Sequence, residues 1–169
     1  MTVSVAAIGE DRREAAAGVI ARAFGRADEA LLVEKLRQAG DLCLELGASE
    51  GGELVGHIAF QPLGVAGGEG LRAASLAPLA VLPAHQRRGI GAALIADGLA
   101  RLGGAGWDIV FVLGDPAYYT RFGFAADAAA PFSAPWSGPH FMARRLSGTG
   151  AAATPARLVY PAAFFESVA

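Results

Sequence analysis

Two short blocks hold the residues best suited to chemistry. Gln86-Arg87-Arg88-Gly89-Ile90-Gly91 lies between an apolar, strand-like segment and a strongly periodic apolar run. The first amides of a helix lack an internal acceptor and, with the positive end of the macrodipole, form a site for a phosphate or pyrophosphate. Gly89 and Gly91 let the backbone approach such a group, Ala92 continues the same turn, and Arg87 or Arg88 adds charge. Hydrogen bonds to charged groups contribute roughly 1.5–3 kcal/mol each, so a few amides and one arginine suffice to anchor a diphosphate. The second block, Gly114 to Phe124, carries Asp115, Tyr118 and Tyr119, side chains that give or take protons.

Two familiar anion loops do not match. A phosphate loop of the NTPase kind ends in Gly-Lys-Ser/Thr, which is missing here. A dinucleotide fingerprint counted from Gly89 puts Leu94 where a third glycine or alanine belongs. Asp108 stands at about the spacing of a ribose-binding acid and keeps a dinucleotide-dependent oxidoreductase in view.

These blocks sit in a chain of 169 residues, 53% hydrophobic and 18% charged, which fits one globular domain over 1–169. A chain of this length needs no disulfide or metal staple, and no metal is expected. The one cysteine, Cys43, excludes an internal disulfide and suits a reducing cytoplasm. A net charge of −2 gives no general attraction to nucleic acid or anionic membranes. No apolar stretch is long enough to span a bilayer, and the N-terminus does not read as a secretion signal.

Periodicity supplies the positioning elements. Val3 to Ile8 reads as a strand, and a helix from Asp11 turns Ala16, Val19, Ile20, Ala23 and Phe24 to one face. Asp28 to Gln38 forms a second helix with Leu32, Val33 and Leu36 inward. Alternation from Leu42 to Leu46, a turn at Ser49 to Gly52 and a strand from Leu54 to Phe60 predict a hairpin. A further strand lies within Leu71 to Leu82, with a bulge or edge at Pro78. Gly91, Leu94, Ile95, Gly98, Leu99 and Leu102 mark the clearest helix. Ile109 to Leu113 is a buried strand, and Ala117 to Phe122 a short helix closed by Gly123. Phe141 to Leu146 and Arg157 to Tyr160 are the last two strands, preceded by irregular, proline-marked chain.

The run Pro78-Leu79-Ala80-Val81-Leu82-Pro83-Ala84-His85-Gln86-Arg87-Arg88-Gly89-Ile90-Gly91 resembles the acetyl-CoA signature of the GCN5-related N-acetyltransferase (GNAT) superfamily. Gly114-Asp115-Pro116-Ala117-Tyr118-Tyr119-Thr120-Arg121-Phe122-Gly123-Phe124 is similar to the tyrosine-bearing helix of the bacterial subgroup ending in Tyr-Tyr-x-Arg-Phe-Gly-Phe. The resemblance covers about Gly52 to Phe124. It implies an α/β fold with a mixed, mostly antiparallel central sheet flanked by helices, in which a splayed strand pair forms the acetyl-CoA cleft. It also implies direct transfer of an acetyl group from acetyl-CoA to a small-molecule or peptide amine, with homodimers common among the relatives. A non-catalytic acyl-CoA sensor of the same fold is the alternative.

By the same resemblance, the backbone of Leu79 and Val81 faces the acetyl and pantetheine groups, and Gln86, Arg87, Arg88, Gly89, Ile90, Gly91 and Ala92 hold the diphosphate. Tyr119 is the general acid, with Tyr118 behind it. An ordinary tyrosine lies above a thiol in pKa, so full proton transfer to the departing thiolate is uphill by roughly 2 kcal/mol, and hydrogen bonding carries much of the role. Asp115, His57 and Glu45 are the candidate bases, although Asp115 also fits a helix cap. His85 and His140 rank lower, and Cys43 reads as core packing in a strand of leucines. Residues 125–169 form the acceptor side, where Phe132, Trp136, Phe141 and Phe164 could wall an apolar pocket, while Trp107 reads as packing.

Overall fold

A computed structural model describes residues 2–68, 70–148 and 155–166. The chain forms an α/β fold on a mostly antiparallel sheet of strand order β1-β2-β3-β4-β5-β7, with β8 pairing β3 and β6. The strands are β1 (Val3–Ala7), β2 (Leu44–Glu50), β3 (Glu53–Ala66), β4 (Ala73–Val81), β5 (Ile109–Leu113), β6 (Phe132–Ser133), β7 (Phe141–Arg145) and β8 (Ala156–Val159). The helices are α1 (Arg13–Phe24), α2 (Asp28–Gln38), α3 (Ile90–Gly104), α4 (Pro116–Tyr119) and α5 (Ala126–Ala129). Two compact units share this chain. The first takes in residues up to Gln61, Ala77–Gly98 and those from Ala162; the second takes in Pro62–Leu76 and Leu99–Pro161.

In the first unit β1, β2 and β3 form an antiparallel meander. The hairpin closes through Gly51 (φ 61°) and Gly52 (φ 82°) between the paired Glu50 and Glu53. Both turn residues are left-handed, the geometry that matches strand twist in a two-residue loop and that glycine adopts freely. The helices α1 and α2 bury Ala16, Val19, Ile20, Val33 and Leu36, as their spacing predicts, but Phe24 is 41% exposed. It is the last residue of α1, directly before the left-handed Gly25 that ends the helix. In α2, Asp28 and Glu29 open the helix and Lys35 and Arg37 close it, each sign facing the favourable dipole end.

The strand expected from Leu42 begins at Leu44 and runs on to Glu50, so Cys43 lies outside it and is only half-buried. The strand expected to end at Phe60 continues to Ala66, through Pro62. β4 continues through Pro78, with a cis Ala77–Pro78 peptide, while its pairing with β5 ends at Ser75, so Pro78 stands where the ladder to β5 has stopped.

In the second unit β4 and β5 run parallel, paired at Ala73–Ile109, Ala74–Val110 and Ser75–Phe111. β5 then pairs antiparallel with β7 from Ile109–Arg145 to Leu113–Phe141. Phe111 is the centre of this core, with Phe132 edge-on at 5.0 Å and Phe141 stacked at 5.5 Å. Asp108 ties the unit's edge. Its carboxylate accepts from the Arg72 N–H at 2.8 Å and the Ser147 hydroxyl at 2.7 Å, and its carbonyl accepts from Leu146 N–H. Those bonds hold its carboxyl below the usual range. Trp107 packs under the Arg72 guanidinium, 4.5 Å from the ring centre. The short α5 and β6 fall where the sequence predicts irregular chain, and the alanine-rich patch from Thr149 lies largely outside the described residues.

Candidate functional site

In the first unit, the part of α3 up to Gly98 is seated on β3 by two glycines. A Cβ at Gly56 would lie 3.0 Å from Ile90 and 3.1 Å from Leu94, and one at Gly98 would lie 2.6 Å from the Phe60 ring. Ile90, Leu94 and Ile95 are buried there, which fixes the helix start relative to β3. Ala93 is the first residue of α3 whose N–H bonds back to the chain, to Gly89 at 3.0 Å. The amides of Ile90, Gly91 and Ala92 therefore form the open N-terminus of a 15-residue helix.

The approach to this N-terminus is held in an unusual conformation. Arg87 takes φ 64° and Gly89 φ 80°. Glycine adopts the left-handed region freely, whereas arginine loses roughly 1–2 kcal/mol in it, so the loop stores strain at Arg87. Gln86 fastens the loop to β4 by donating from Nε2 to the Val81 carbonyl at 3.1 Å. Leu79 and Val81 remain half-buried while Pro78, Ala80 and Leu82 are buried.

The two arginines are not equivalent. Arg88 donates to both carboxylate oxygens of buried Glu50, at 3.2 and 3.3 Å, and His85 Nε2 stands 3.8 Å from the same group. Arg87 is exposed and has no polar side-chain partner among the described residues. Sequence reasoning missed the Glu50 partner, because nothing local links a hairpin residue to a loop 38 positions later.

His57 is fully buried on β3, and its Nε2 lies 2.7 Å from Glu45 Oε2. Arg37 of α2 donates to the same oxygen at 2.6 Å. Burial pushes the Glu45 carboxyl up, but the hydrogen bonds from His57 and Arg37 outweigh it and hold the group below its ordinary value. The three side chains form a mostly buried cluster that ties α2 to the sheet and extends outward through Arg37 to Glu34 at 2.7 Å, with His57 Nδ1 unbonded among the described residues.

In the second unit, β5 runs through Gly114 into α4. Asp115 is the N-cap, its Oδ1 accepting from Ala117 N–H at 3.0 Å. Pro116 at the first helical position suits a turn whose N–H would be unpaired anyway. The Tyr119 ring lies on the Gly114 backbone, where a Cβ would meet it at 2.5 Å. Phe124 is edge-on to it at 5.9 Å and Tyr118 at 5.0 Å.

The tyrosines differ as the arginines do. Tyr118 is covered by the Arg121 guanidinium at 4.8 Å and by Phe122. The Tyr119 hydroxyl makes no hydrogen bond to any described residue. Burial, with a smaller contribution from Tyr118, pushes Tyr119 up to about 12. It therefore stays protonated throughout the physiological range.

The remaining expectations resolve individually. Phe132 and Phe141 pack around Phe111, and Trp136 packs edge-on against Tyr160 at 4.5 Å. Phe164 is half-buried in the first unit's closing 3-10 turn. His140 serves through its backbone, whose carbonyl accepts from Gly114 N–H at 3.0 Å. Among the described residues no group of three or more His, Cys, Asp or Glu could hold a metal ion.

The model of the acetyltransferase (GNAT) domain family matches residues 4–126, a span that includes both the phosphate-type loop and the tyrosine-bearing helix. The chain belongs to the GNAT acetyltransferases. It is 38% identical over 132 residues to the N-acetyltransferase YhbS of Escherichia coli strain K12, spanning 76% of this chain and 78% of that protein. The crystal structure of the Escherichia coli GNAT family N-acetyltransferase YhbS in complex with CoA superposes with a TM-score of 0.89 at 30% identity, over 97% of this chain and 92% of that one. A GNAT family acetyltransferase from Brucella melitensis, in complex with acetyl-CoA, gives 0.79 at 34% identity, over 96% and 98% of the two chains. As a GNAT acetyltransferase, this chain is an enzyme of acyl transfer, and no helix among its described residues is long and apolar enough to cross a membrane.

Proposed function

We propose that the chain binds acetyl-CoA with its diphosphate on the α3 N-terminus and passes the acetyl group directly to an amine, with Tyr119 attending the departing thiolate. The observation that carries this reading is the loop itself. Three open amides stand beside a strained left-handed Arg87 in a chain of the GNAT family. Arg87 adds the mobile charge. Arg88, engaged by Glu50, braces the loop, and Gln86 does the same from β4.

Tyr119 is preferred over Tyr118 because its hydroxyl has no partner to give up among the described residues. A tyrosine at about 12 lies above a thiol of about 8.5, so complete transfer to the cleaved thiolate is uphill by about 5 kcal/mol unless the tyrosine regains a proton in the same step. Hydrogen bonding to the developing thiolate is thus its main contribution, and a proton passes through it to sulfur only as a proton shed by the amine replaces it. Asp115 is committed to capping α4 and His57 to the Glu45–Arg37 cluster, which favours loss of the amine proton by a route outside both. The same reading takes the enzyme to be cytoplasmic, acting on a small-molecule or peptide amine rather than on nucleic acid or membrane, in line with its charge of −2. A homodimer is proposed from the habits of the family, and light scattering in solution tests it.

The test is an amine-acceptor screen that follows free CoA. Acceptor-dependent release above the hydrolytic background, abolished when acetyl-CoA is replaced by desulfo-CoA, is the expected result. Binding of acetyl-CoA without turnover of any amine would instead favour the sensor.

A further inference from the structure

The second unit holds a cavity of about 830 Å³ whose lining comes from α5, β6, β8, the chain around Ser137, the end of β3 and the start of β7. Its size falls in the range of small-molecule sites. Phe132 and Phe141 form its apolar base, resting on Phe111, and alanines and prolines make up most of the wall. The two serine hydroxyls in the wall each make one bond within the chain: Ser137 Oγ accepts from Ala134 N–H at 2.9 Å, and Ser133 Oγ donates to the Ala156 carbonyl at 3.5 Å. That leaves two charged side chains, Asp127 and Arg157.

These charges are opposite in sign, and neither has a partner among the described residues, each other included. Two exposed, opposite charges on one apolar-floored cavity match a ligand that carries both counter-charges. A polyamine would leave Arg157 facing a cation, and a phosphorylated ligand would face Asp127 with an anion. A molecule carrying ammonium and carboxylate satisfies both, with the planar guanidinium matching a carboxylate. One lining residue, Phe141, leads back to the tyrosine helix: it follows His140, whose carbonyl accepts from Gly114 N–H, and Gly114 carries the Tyr119 ring.

Resting on the acetyltransferase reading above, we propose that the amine acceptor is a small amino acid with an apolar side chain, bound in this cavity with its ammonium at Asp127 and its carboxylate at Arg157. In the transfer the nitrogen bonds to the thioester carbonyl carbon and the carbon–sulfur bond breaks. The ammonium sheds two protons: one leaves through exposed Asp127 to water, and the other balances the proton that Tyr119 gives the thiolate.

The experiment pairs probes that differ only in the carboxylate: L-leucine with isopentylamine, and L-phenylalanine with phenethylamine. Each is assayed by CoA release at saturating acetyl-CoA, with wild type, Arg157→Gln and Asp127→Asn, while calorimetry records acetyl-CoA binding. The amino acids are expected to exceed their amines about tenfold or more in kcat/KM, the size of one charge-assisted pair. Arg157→Gln should raise KM for the amino acid by a similar factor, leave kcat nearly unchanged and not alter the amine's kinetics. Asp127→Asn should lower kcat/KM for both probes. Equal use of amino acid and amine, or an Arg157→Gln effect shared by both, overturns the proposal. So does turnover of a peptide N-terminus with refusal of free amino acids. Silence toward every probe with acetyl-CoA still bound overturns the acceptor assignment alone, whereas failure to bind acetyl-CoA removes the parent reading too.

Discussion

Replacing Tyr119 by phenylalanine removes one oxygen and keeps the ring on Gly114 and against Phe124. The hydroxyl has no partner among the described residues, so its loss breaks no internal hydrogen bond and the fold should be unaffected. What it removes is a donor to a sulfur acquiring negative charge. A hydrogen bond to a charged acceptor contributes about 1.5–3 kcal/mol, which sets the expected fall in kcat at about ten- to 150-fold. KM for acetyl-CoA should barely move, because the bond forms only as charge develops. With the phenol pushed up to about 12, its ionisation imposes no alkaline limb below pH 10 in the wild type, and none is expected to appear or vanish in the variant. The assay is steady-state CoA release at saturating acetyl-CoA from pH 6 to 10, with unfolding curves run alongside. A kcat within threefold of wild type, or a loss that comes entirely from weaker acetyl-CoA binding, would refute the assignment.

Two further outcomes follow from packing and charge. Gly98→Ala forces a methyl to 2.6 Å from the buried Phe60 ring, so overpacking should offset the helix-propensity gain of about 1 kcal/mol and leave a net loss of up to about 2 kcal/mol in denaturant unfolding. Gly104→Ala, on the same helix with nothing within 4 Å, is the control and should be neutral or stabilising. The Asp108 carboxyl has a folded pKa below its unfolded value of about 3.9, so its stabilisation is present above that pH and is lost as pH falls through the folded pKa. Asp108→Asn should lower stability by about 1–3 kcal/mol at pH 7, a gap that closes on acidification, and a gap constant down to pH 2 would contradict the account.

What was legible in the sequence was local. The helix from Ile90 announces itself through spacing because its apolar face is continuous, and the loop before it through glycines that only backbone geometry explains. The tyrosine helix is bounded by Pro116 and Gly123, residues with fixed conformational preferences. What was hidden depends on register. Whether Glu45 meets His57 is decided by the pairing of β2 with β3, and whether Arg88 meets Glu50 by where α3 lands on that hairpin. The extension of β3 to Ala66 was masked by Pro62, and its far end is paired by β8, more than ninety residues later. Cys43 shared an alternating pattern with Leu42 and Leu44, and its N–H bonds to the Phe60 carbonyl at 2.9 Å, yet paired strand register with β3 begins at Leu44. The cavity that receives the acceptor in this account is assembled from segments with no periodicity, where composition says little about shape.

The claim on which the rest depends is that the α3 N-terminus grips the diphosphate of acetyl-CoA. Calorimetric titration of the wild type with acetyl-CoA and with S-acetylpantetheine, which lacks the diphosphate and nucleoside, measures that grip. Two or three charge-assisted bonds at about 1.5 kcal/mol or more each place the ratio of dissociation constants at about 100-fold or higher in favour of acetyl-CoA, falling as salt rises. Comparable affinities for the two compounds would contradict the assignment of this loop.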